Sequence, residues 1–334
     1  MKRLAKISAF ITLLFFLVSS ISCSTQNNNS VDSTTLEKTT QKKIVLGFSQ
    51  LGDESDWRAA NTESIKSAAK KAGIELKFSN AYQKQSEQIK AIRSFIAQQV
   101  DVIAFSPIIE SGWDSVLKEA KVANIPVVIL DRTIEITDKS LYVTCIGSDF
   151  EEEGKKAGRW LLEQTKGLKG DINVVEIEGN AGSTPAIGRK KGFEETIKAN
   201  PNIKIILSQS GDFMESKGKE VMEYFLKSKG NKIHYLFSHN DDMALGAVEA
   251  IQEYGLKPGK DIKIISVDAV RAAFEAMLGG RINCTVECNP LQGPKLMETV
   301  KNIINGEAVP KRILIDEGIF PEETAAYELP NRKY

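Results

Sequence analysis

The sequence predicts a two-lobed α/β protein, in which each lobe is a parallel sheet flanked by helices and crossover segments form a hinge between the lobes. Short runs of β-branched and aromatic residues recur along the chain, and most are separated by segments with helical periodicity, as in repeated strand-helix-strand units. These runs are too numerous for one small sheet, and their rhythm changes near "CIGSD" at residues 145–149. We therefore divide the folded part of the chain into two lobes.

Residues 1–22 are predicted to form a signal peptide. Basic residues precede an apolar run over residues 9–18, which is too short for a membrane span and is followed by small residues. The ending "SSISC" indicates a bacterial lipoprotein signal in which Cys23 is lipidated, although Ser20 stands where leucine is usual. An ordinary cleaved signal is the alternative. Either interpretation predicts export, to the periplasm or to the outer face of the cytoplasmic membrane as a lipoprotein.

Residues 23–41 are rich in Ser, Thr, Asn and Gln, so we expect a flexible tether with almost nothing to bury. The remainder of the chain is long enough for two domains of ordinary size. The predicted lobes are an N-terminal lobe of residues 42–148 and 289–315 and a C-terminal lobe of residues 149–288 and 316–334. We expect the chain to cross between the lobes near residue 148, near residues 288–289 and in the later part of 309–320.

Charge and cysteine content narrow the functional classes. Lys plus Arg equals Asp plus Glu, at 44 each, and no dense basic run is present, which argues against a nucleic-acid surface. Three cysteines follow the tether, namely Cys145, Cys284 and Cys288, and an odd number cannot pair completely within the chain. We interpret all three as small buried residues.

Nine runs are predicted strands: "IVLGFS", "IELKFS", "VIAFSP", "VVILDR", "YVTCIG", "INVVEI", "IKIILS", "IHYLFS" and "IKIISV". Two of the intervening segments show clear helical faces. One face comprises Ile89, Ile92, Phe95 and Ile96, and the other comprises Met243, Ala247, Ala250, Ile251 and Tyr254. Gly255 is placed to end the second helix.

Polar and aromatic side chains recur directly after the predicted strands. Ligands bind open parallel sheets beyond the carboxyl ends of the strands, so these junctions are the place to look for a site. The candidate ligand-binding residues there are Glu54, Trp57, Arg58, Asp131, Arg132, Thr184, Arg189, Phe213, Asn240 and Asp268. Carboxylates, amides and arginines suit the hydroxyls of a sugar, and the aromatic rings suit its C–H faces.

Each of these residues also has a purely structural alternative. Trp57 could be the first core position of its helix, Asp131 and Arg132 could pair with each other, and Asp268 could cap a helix. The polar triplet at residues 240–242 could likewise serve only as a helix cap.

Enzyme signatures are lacking in the sequence. No phosphate-binding Gly-Lys-Ser/Thr loop occurs, "GFSQLG" misses the spacing of a nucleophile elbow, and two histidines, His234 and His239, make no metal motif. We expect His239 to be a packed residue at a strand end. A glycosidase that uses Asp131 and Asp268 as its carboxylate pair is the enzymatic alternative. Our prediction is a binding protein with no catalytic residues, no cofactor and no metal.

Several stretches together carry a family resemblance: "GFSQLGDESDWRAAN", "QKQSEQIKAIRSFIAQQVD", "IPVVILDRTI", "GRKKGFEETIK", "SQSGDFMESKGKEVME" and "HNDDMALGAVEAIQEYGLKPGKDI". From about residue 42 to the C-terminus, the chain resembles the periplasmic sugar-binding proteins of bacterial ABC importers. Within the ribose- and galactose-binding type, which is related to the effector domains of LacI-type repressors, it is most similar to the galactofuranose-binding branch. The resemblance implies the type I periplasmic-binding-protein fold and a monomer.

The resemblance also implies roles for individual residues. The motif "LDR" would supply Asp131 and Arg132 to the sugar, and the other family ligands would be Arg189, Phe213, Asn240 and Asp268. The bound, closed form would then deliver the monosaccharide to an ABC permease. Presentation of that form to a chemoreceptor or a sensor kinase is an alternative, whereas a LacI-type regulator would need a helix-turn-helix segment where this chain has an export signal.

Two departures from the ribose-binding pattern matter for the site. Trp57 is followed by Arg58 where those relatives have a second aromatic residue, which favours a ligand with an extra hydroxylated arm. Cys288 stands where they have a glutamine, and we leave Cys288 and Glu287 out of the predicted site. We expect Asn240 to face the ligand, while Asp241 or Asp242 caps the helix.

Overall fold

The computed structural model describes residues 43–334. The predicted signal peptide, the tether and the lipidation site Cys23 lie outside the described residues. Within the described part of the chain, no helix is both long enough and apolar enough to cross a membrane.

The strands alternate with helices along most of the chain. The strands are β1 (Val45–Gln50), β2 (Glu75–Asn80), β3 (Val102–Phe105), β4 (Val127–Leu130), β5 (Thr144–Gly147), β6 (Ile172–Glu178), β7 (Ile203–Ser210), β8 (Tyr235–Ser238), β9 (Lys263–Asp268), β10 (Cys284–Glu287), β11 (Arg312–Leu314) and β12 (Ile319–Pro321). The helices are α1 (Asp56–Ala72), α2 (Gln85–Ala97), α3 (Asp114–Val122), α4 (Phe150–Gln164), α5 (Thr184–Ile197), α6 (Glu215–Lys229), α7 (Asp241–Glu253), α8 (Arg271–Leu278), α9 (Gly293–Ile304) and α10 (Ala325–Glu328).

The strands form two six-stranded sheets, which confirms the predicted two-lobed α/β fold. The first sheet has the order β11-β5-β4-β3-β1-β2, and all its pairings are parallel. The second has the order β12-β10-β9-β8-β6-β7 and is parallel except for its edge strand β12, which runs antiparallel to β10. The chain passes between the sheets after β5, after β10 and between β11 and β12.

All nine predicted strands are present, and β10, β11 and β12 were not among them. The last two have three residues each, which is too short for a period-two pattern to be recognised. The predicted face of α7 is wrong at Tyr254, which lies at the C-terminal end of the helix and is 48% exposed. Gly255 ends that helix in the left-handed conformation, as predicted.

Helices cover both faces of the first sheet. Residues of α2 and α3, such as Ile92 and Leu117, pack on one face, and residues of α1 and α9, such as Ile65 and Val300, pack on the other. The second sheet has one continuous apolar core, in which α4 packs against α5 and α6 against α7. Both sheets thus hold their loops on rigid layers, a common arrangement for binding sites.

Candidate ligand-binding site

A cavity lies between the lobes, where the carboxyl ends of the two sets of strands face each other; the space between its lining atoms, including the part open to solvent, is about 300 Å³. Its lining comprises Glu54, Ser55, Trp57, Arg58, Asp131, Arg132, Phe150, Pro185, Arg189, Phe213, Asn240, Asp268 and Cys288. Every predicted site residue except Thr184 is therefore part of the lining.

Arg58 is the centre of the first-lobe wall and is almost fully buried. Its Nε donates to Glu54 Oε1 at 3.2 Å, its Nη2 to Asp131 Oδ2 at 2.8 Å, and its Nη1 to Gln50 Oε1 at 3.3 Å. Burial lowers the pKa of Arg58, but Asp131 and Glu54 outweigh it and raise this pKa above its ordinary value. The guanidinium is thus fixed by the protein itself, with two of its five N–H groups left to reach a ligand.

Arg132 is also buried in this wall but is less well paired. It donates to the carbonyl oxygen of Ile108 at 2.9 Å and to Asn180 Oδ1 of the second lobe at 3.3 Å. Its Nε has no hydrogen-bond partner among the described residues, and its contact with Asp131 is a long 4.0 Å. Burial, followed by the charge of Arg58, lowers the pKa of Arg132 to about 10. Asp131 pairs mainly with Arg58, so the alternative of a simple Asp131–Arg132 pair does not describe the geometry.

Arg189 of α5 is the cation of the second-lobe wall. Its Nε donates to Glu153 Oε2 at 2.7 Å, its Nη1 donates to the carbonyl oxygen of His239, and its Nη2 lies 3.6 Å from Asp268 Oδ1. Close packing of α4 on α5 makes the Glu153 contact possible, because a Cβ atom at Gly154 would lie 2.1 Å from the carbonyl oxygen of Arg189. Burial lowers the pKa of Arg189, but Glu153 and Asp268 outweigh it and raise this pKa above its ordinary value.

Asp268 is the least compensated carboxylate of the lining. It is 4% exposed, and burial raises its pKa well above the ordinary value. Arg189 lowers this pKa, but Asp241 and Asp242 raise it further. A buried acceptor with so loose a cationic partner is well suited to a ligand hydroxyl, which can donate to it.

Three residues of this lining have a strained backbone. Asp131, Phe213 and Asp268 have positive φ values of 63°, 62° and 127°, which cost free energy for residues other than glycine and are typical of functional sites. The aromatic rings are held by further contacts: Trp57 Nε1 donates to the carbonyl oxygen of Cys288 at 2.6 Å, and Phe213 lies beneath the guanidinium of Arg132 at 5.3 Å.

Asn240 lines the cavity and also caps α7, so the prediction that Asp241 or Asp242 would be the cap is wrong. Asn240 has an extended backbone, and its Oδ1 accepts from the N–H group of Met243 at 3.0 Å. Asp241 and Asp242 lie inside the helix. Asp241 accepts from Thr285 and the N–H group of Val270, and Asp242 accepts from the N–H group of Asp56 in the other lobe.

Thr184 is the one predicted residue that the cavity lining does not include. Its hydroxyl oxygen accepts from the N–H group of Thr133 at 3.1 Å, a contact that joins the lobes at the cleft. Glu287 also lies outside the lining, where it accepts from Arg332 and Tyr334. Packing of His239 is as predicted, since its ring is fully buried beside Glu176.

The sequence prediction missed four lining residues: Ser55, Phe150, Pro185 and Cys288. Phe150 follows the end of β5, so the strand-end rule could have found it, whereas Cys288 follows β10, which was not predicted, and had been left out of the site. Ser55 and Pro185 are neighbours of predicted residues and carried no separate signal. All three described cysteines are free and buried, as predicted.

Comparisons with known proteins agree with this geometry. The model of the periplasmic binding protein domain family matches residues 46–308. The galactofuranose-binding protein YtfQ of Escherichia coli (strain K12) is 50% identical over 293 residues, which are 87% of this chain and 92% of that protein.

Two solved structures are similar in fold and sequence. A Mycobacterium smegmatis protein in complex with β-D-fucofuranose has a TM-score of 0.86 and 53% identity, over 87% of this chain and 95% of that one. The binding protein of the arabinose ABC transporter from Shewanella sp. ANA-3, bound to α- and β-L-arabinofuranose, has a TM-score of 0.84 and 50% identity, over 87% and 96%. The family model covers most of the chain, the relatives are about half identical to it, and the two sheets face one closed cleft. The chain therefore belongs to the periplasmic binding protein family.

Proposed function

We propose that this chain is the extracytoplasmic sugar-binding component of an ABC importer, which captures a monosaccharide in the interlobe cavity and delivers it to a permease. The observation that carries the proposal is the lining itself. Asp268 and Arg132 offer hydrogen-bonding atoms at one closed site beside the rings of Trp57 and Phe213, a combination that suits a polyhydroxylated molecule with apolar C–H faces.

The proposed ligand is a sugar in its furanose form. The relatives described above bind galactofuranose, β-D-fucofuranose and L-arabinofuranose, which are all sugars with a compact five-membered ring. The ligand residues we propose are Glu54, Trp57, Arg58, Asp131, Arg132, Arg189, Phe213, Asn240 and Asp268. Thr184 is left out because its hydroxyl serves the contact between the lobes.

Sugar binding and closure of the lobes are coupled in this proposal. Several hydrogen bonds cross the cleft, including that from the N–H group of Glu110 to the carbonyl oxygen of Gly182 at 3.2 Å and that from Arg132 to Asn180. A ligand that contacts both walls favours the closed form by its differential affinity for that form. The permease would recognise the closed form.

We also propose that the chain is exported as a monomer and tethered through lipidation at Cys23.

Recognition is favoured over glycoside hydrolysis because of how the two candidate carboxylates are used. Asp131 forms a 2.8 Å ion pair with Arg58 and is held by it in the first-lobe wall. Asp268 instead lies beside Arg189 as an acceptor for a hydroxyl.

A thermal-shift screen over pentoses and hexoses tests the proposal. Binding to the folded state raises the free energy of unfolding by RT ln(1 + [L]/Kd), or about 2.7 kcal/mol at a hundred-fold excess over Kd. We expect arabinose or galactose to raise the melting temperature, and no response to any sugar would contradict the function. Carbon-13 NMR of the bound, labelled sugar then reads its ring form, and a bound spectrum with pyranose signals alone would refute the furanose assignment only.

A further inference from the structure

Three segments that connect the lobes meet at one cluster of polar side chains. Ser148 follows β5, Cys288 follows β10, and Glu317 lies between β11 and β12. Glu153 of α4 completes the cluster. One carboxylate oxygen of each glutamate and the Cys288 sulfur all lie within 4.8 Å of one another, so two carboxyl groups are in close proximity at the hinge.

The hydrogen bonds of the two glutamates are unequal. Ser148 Oγ donates to Glu317 Oε1 at 2.5 Å, and the N–H group of Asn289 donates to the same oxygen at 2.8 Å. Glu153 Oε2 accepts from Arg189 at 2.7 Å, whereas Glu153 Oε1 is buried and has no hydrogen-bond partner among residues 43–334. A buried carboxylate oxygen in this position needs a donor, and the cluster offers the Cys288 thiol and a proton on Glu317. A thiol is a weak donor, and only a proton on Glu317 also removes one of the two carboxylate charges.

The cations around the pair do not neutralise two carboxylates. Arg189 contacts Glu153 but is shared with Asp268. Lys156 donates to the backbone carbonyl oxygen of Glu317, and Arg312 donates to that of Ser148, so neither reaches a carboxylate of the pair. Burial, followed by the charge of Glu153, raises the pKa of Glu317 to about 9. The pKa of Glu153 is also raised by its burial, although Arg189 lowers it.

We propose that Glu153 and Glu317 share a single proton in the folded protein at neutral pH. The protonated Glu317 donates to Glu153 Oε1, and the remaining charge on Glu153 holds Arg189 in the wall of the cavity. Ionisation of both adjacent carboxylates in a buried site costs free energy. One shared proton gives Glu153 Oε1 a hydrogen-bond donor and removes the repulsion between the two negative charges. Glu153 and Glu317 are thus positioning residues, which act on the cavity through Arg189.

The variant Glu317→Gln tests the proposal without any sugar, because an amide retains a donor toward Glu153 and cannot ionise. Unfolded Glu317 ionises above its ordinary pKa of 4.5, whereas the folded group keeps its proton up to about pH 9. The proton's contribution to wild-type stability is therefore complete below pH 4.5 and is lost as the pH rises toward 9. Relative to the variant, the unfolding equilibrium constant of the wild type should rise about tenfold per pH unit between roughly pH 5.5 and 8.5 in urea titrations.

Glu287→Gln is the matched control, because Glu287 is a nearby, partly buried carboxylate that is paired with Arg332 and Tyr334. We expect that variant to shift stability by a constant amount over the same pH range. Equal pH dependence of the wild type and Glu317→Gln would overturn the proposal.

Wild-type protein supplies a second measurement if Glu317→Gln does not fold. Carbon-13 NMR of labelled glutamate side chains should show one carboxyl that remains protonated at pH 7, and full ionisation of every glutamate would refute the shared proton. The same three ligand atoms could instead hold a divalent cation. Stoichiometric zinc, manganese or calcium in elemental analysis of the purified protein would therefore also overturn the proposal.

Discussion

The two walls of the cavity use the same chemistry with different degrees of internal pairing. In the first lobe, Arg58 lies between Glu54 and Asp131 at 3.2 and 2.8 Å, so both carboxylates contact a cation before any ligand arrives. Among the buried side-chain atoms of this wall, Arg132 Nε and Glu54 Oε2 lack a hydrogen-bond partner within the described residues. In the second lobe, Arg189 is 2.7 Å from Glu153 but 3.6 Å from Asp268. The first wall is therefore preorganised by the protein, and the second wall keeps one carboxylate available to the ligand.

Because the walls differ in internal pairing, we expect substitutions in one wall to change mainly folding stability and substitutions in the other to change mainly sugar affinity. Removing one partner from a tight buried pair leaves an uncompensated charge, whereas removing a poorly compensated carboxylate relieves a desolvation cost. Asp131 follows the end of β4 and Asp268 is the last residue of β9, and the two aspartates should thus respond differently to the same substitution.

Asp131→Ala should have the largest effect on stability. Loss of its ion pair with Arg58 in the buried wall should lower the free energy of unfolding by about 3–5 kcal/mol, measured by urea titration without sugar. Asp268→Ala is the matched variant from the other wall and should leave this free energy unchanged or higher. Equal losses in the two variants would mean that the walls do not differ in internal pairing.

Asp268→Ala should lower the affinity for sugar without lowering stability. Sugar hydroxyls that lose a charged acceptor should cost roughly 1.5–3 kcal/mol of binding free energy, measured by calorimetry with the sugar that gives the largest thermal shift. Asp101→Ala is the control, because Asp101 accepts from the N–H group of Val45 at the opposite ends of the strands. The same loss of affinity in Asp101→Ala would contradict the site.

Thr184→Val should have the smallest effect. Losing its hydrogen bond with the N–H group of Thr133 should weaken sugar binding by about 0.5–1.5 kcal/mol through the closed form, mainly as faster dissociation in stopped-flow measurements. Thr196→Val, farther along α5, should leave the rate unchanged. A loss as large as that of Asp268→Ala would restore Thr184 to the ligand residues.

The sequence was sufficient for the fold and for most of the lining because both follow from local patterns. Strand runs and helical faces predict the layers, and the carboxyl ends of parallel strands predict where Asp131, Asn240 and Asp268 gather. The ion-pair partners of these side chains were less predictable. Arg58 and Asp131 are 73 residues apart in sequence, and only the tertiary arrangement decides whether Asp131 pairs with Arg58 or with its neighbour Arg132.

Residues in segments without a periodic pattern were also missed, because their positions depend on the tertiary arrangement. Glu317 lies in a segment with no helical or strand signal, and its place beside Glu153 follows from the hinge geometry alone. Asn240 shows a further limit, because a side chain that caps a helix can also line a cavity, and the sequence suggested that these roles belong to different residues.

Helix α1 begins with an amide whose acceptor belongs to the other lobe. The N–H group of Asp56 donates to Asp242 Oδ1 at 3.0 Å, and amides of a first helical turn have no partner within their own helix. When the lobes separate, this hydrogen is left to water and can exchange with solvent, whereas the amide of Arg58 keeps its acceptor in Ser55 of the same lobe. The hydrogen-exchange rate of the Asp56 amide therefore reports how often the cleft opens, and the Arg58 amide, two residues away, serves as the internal standard.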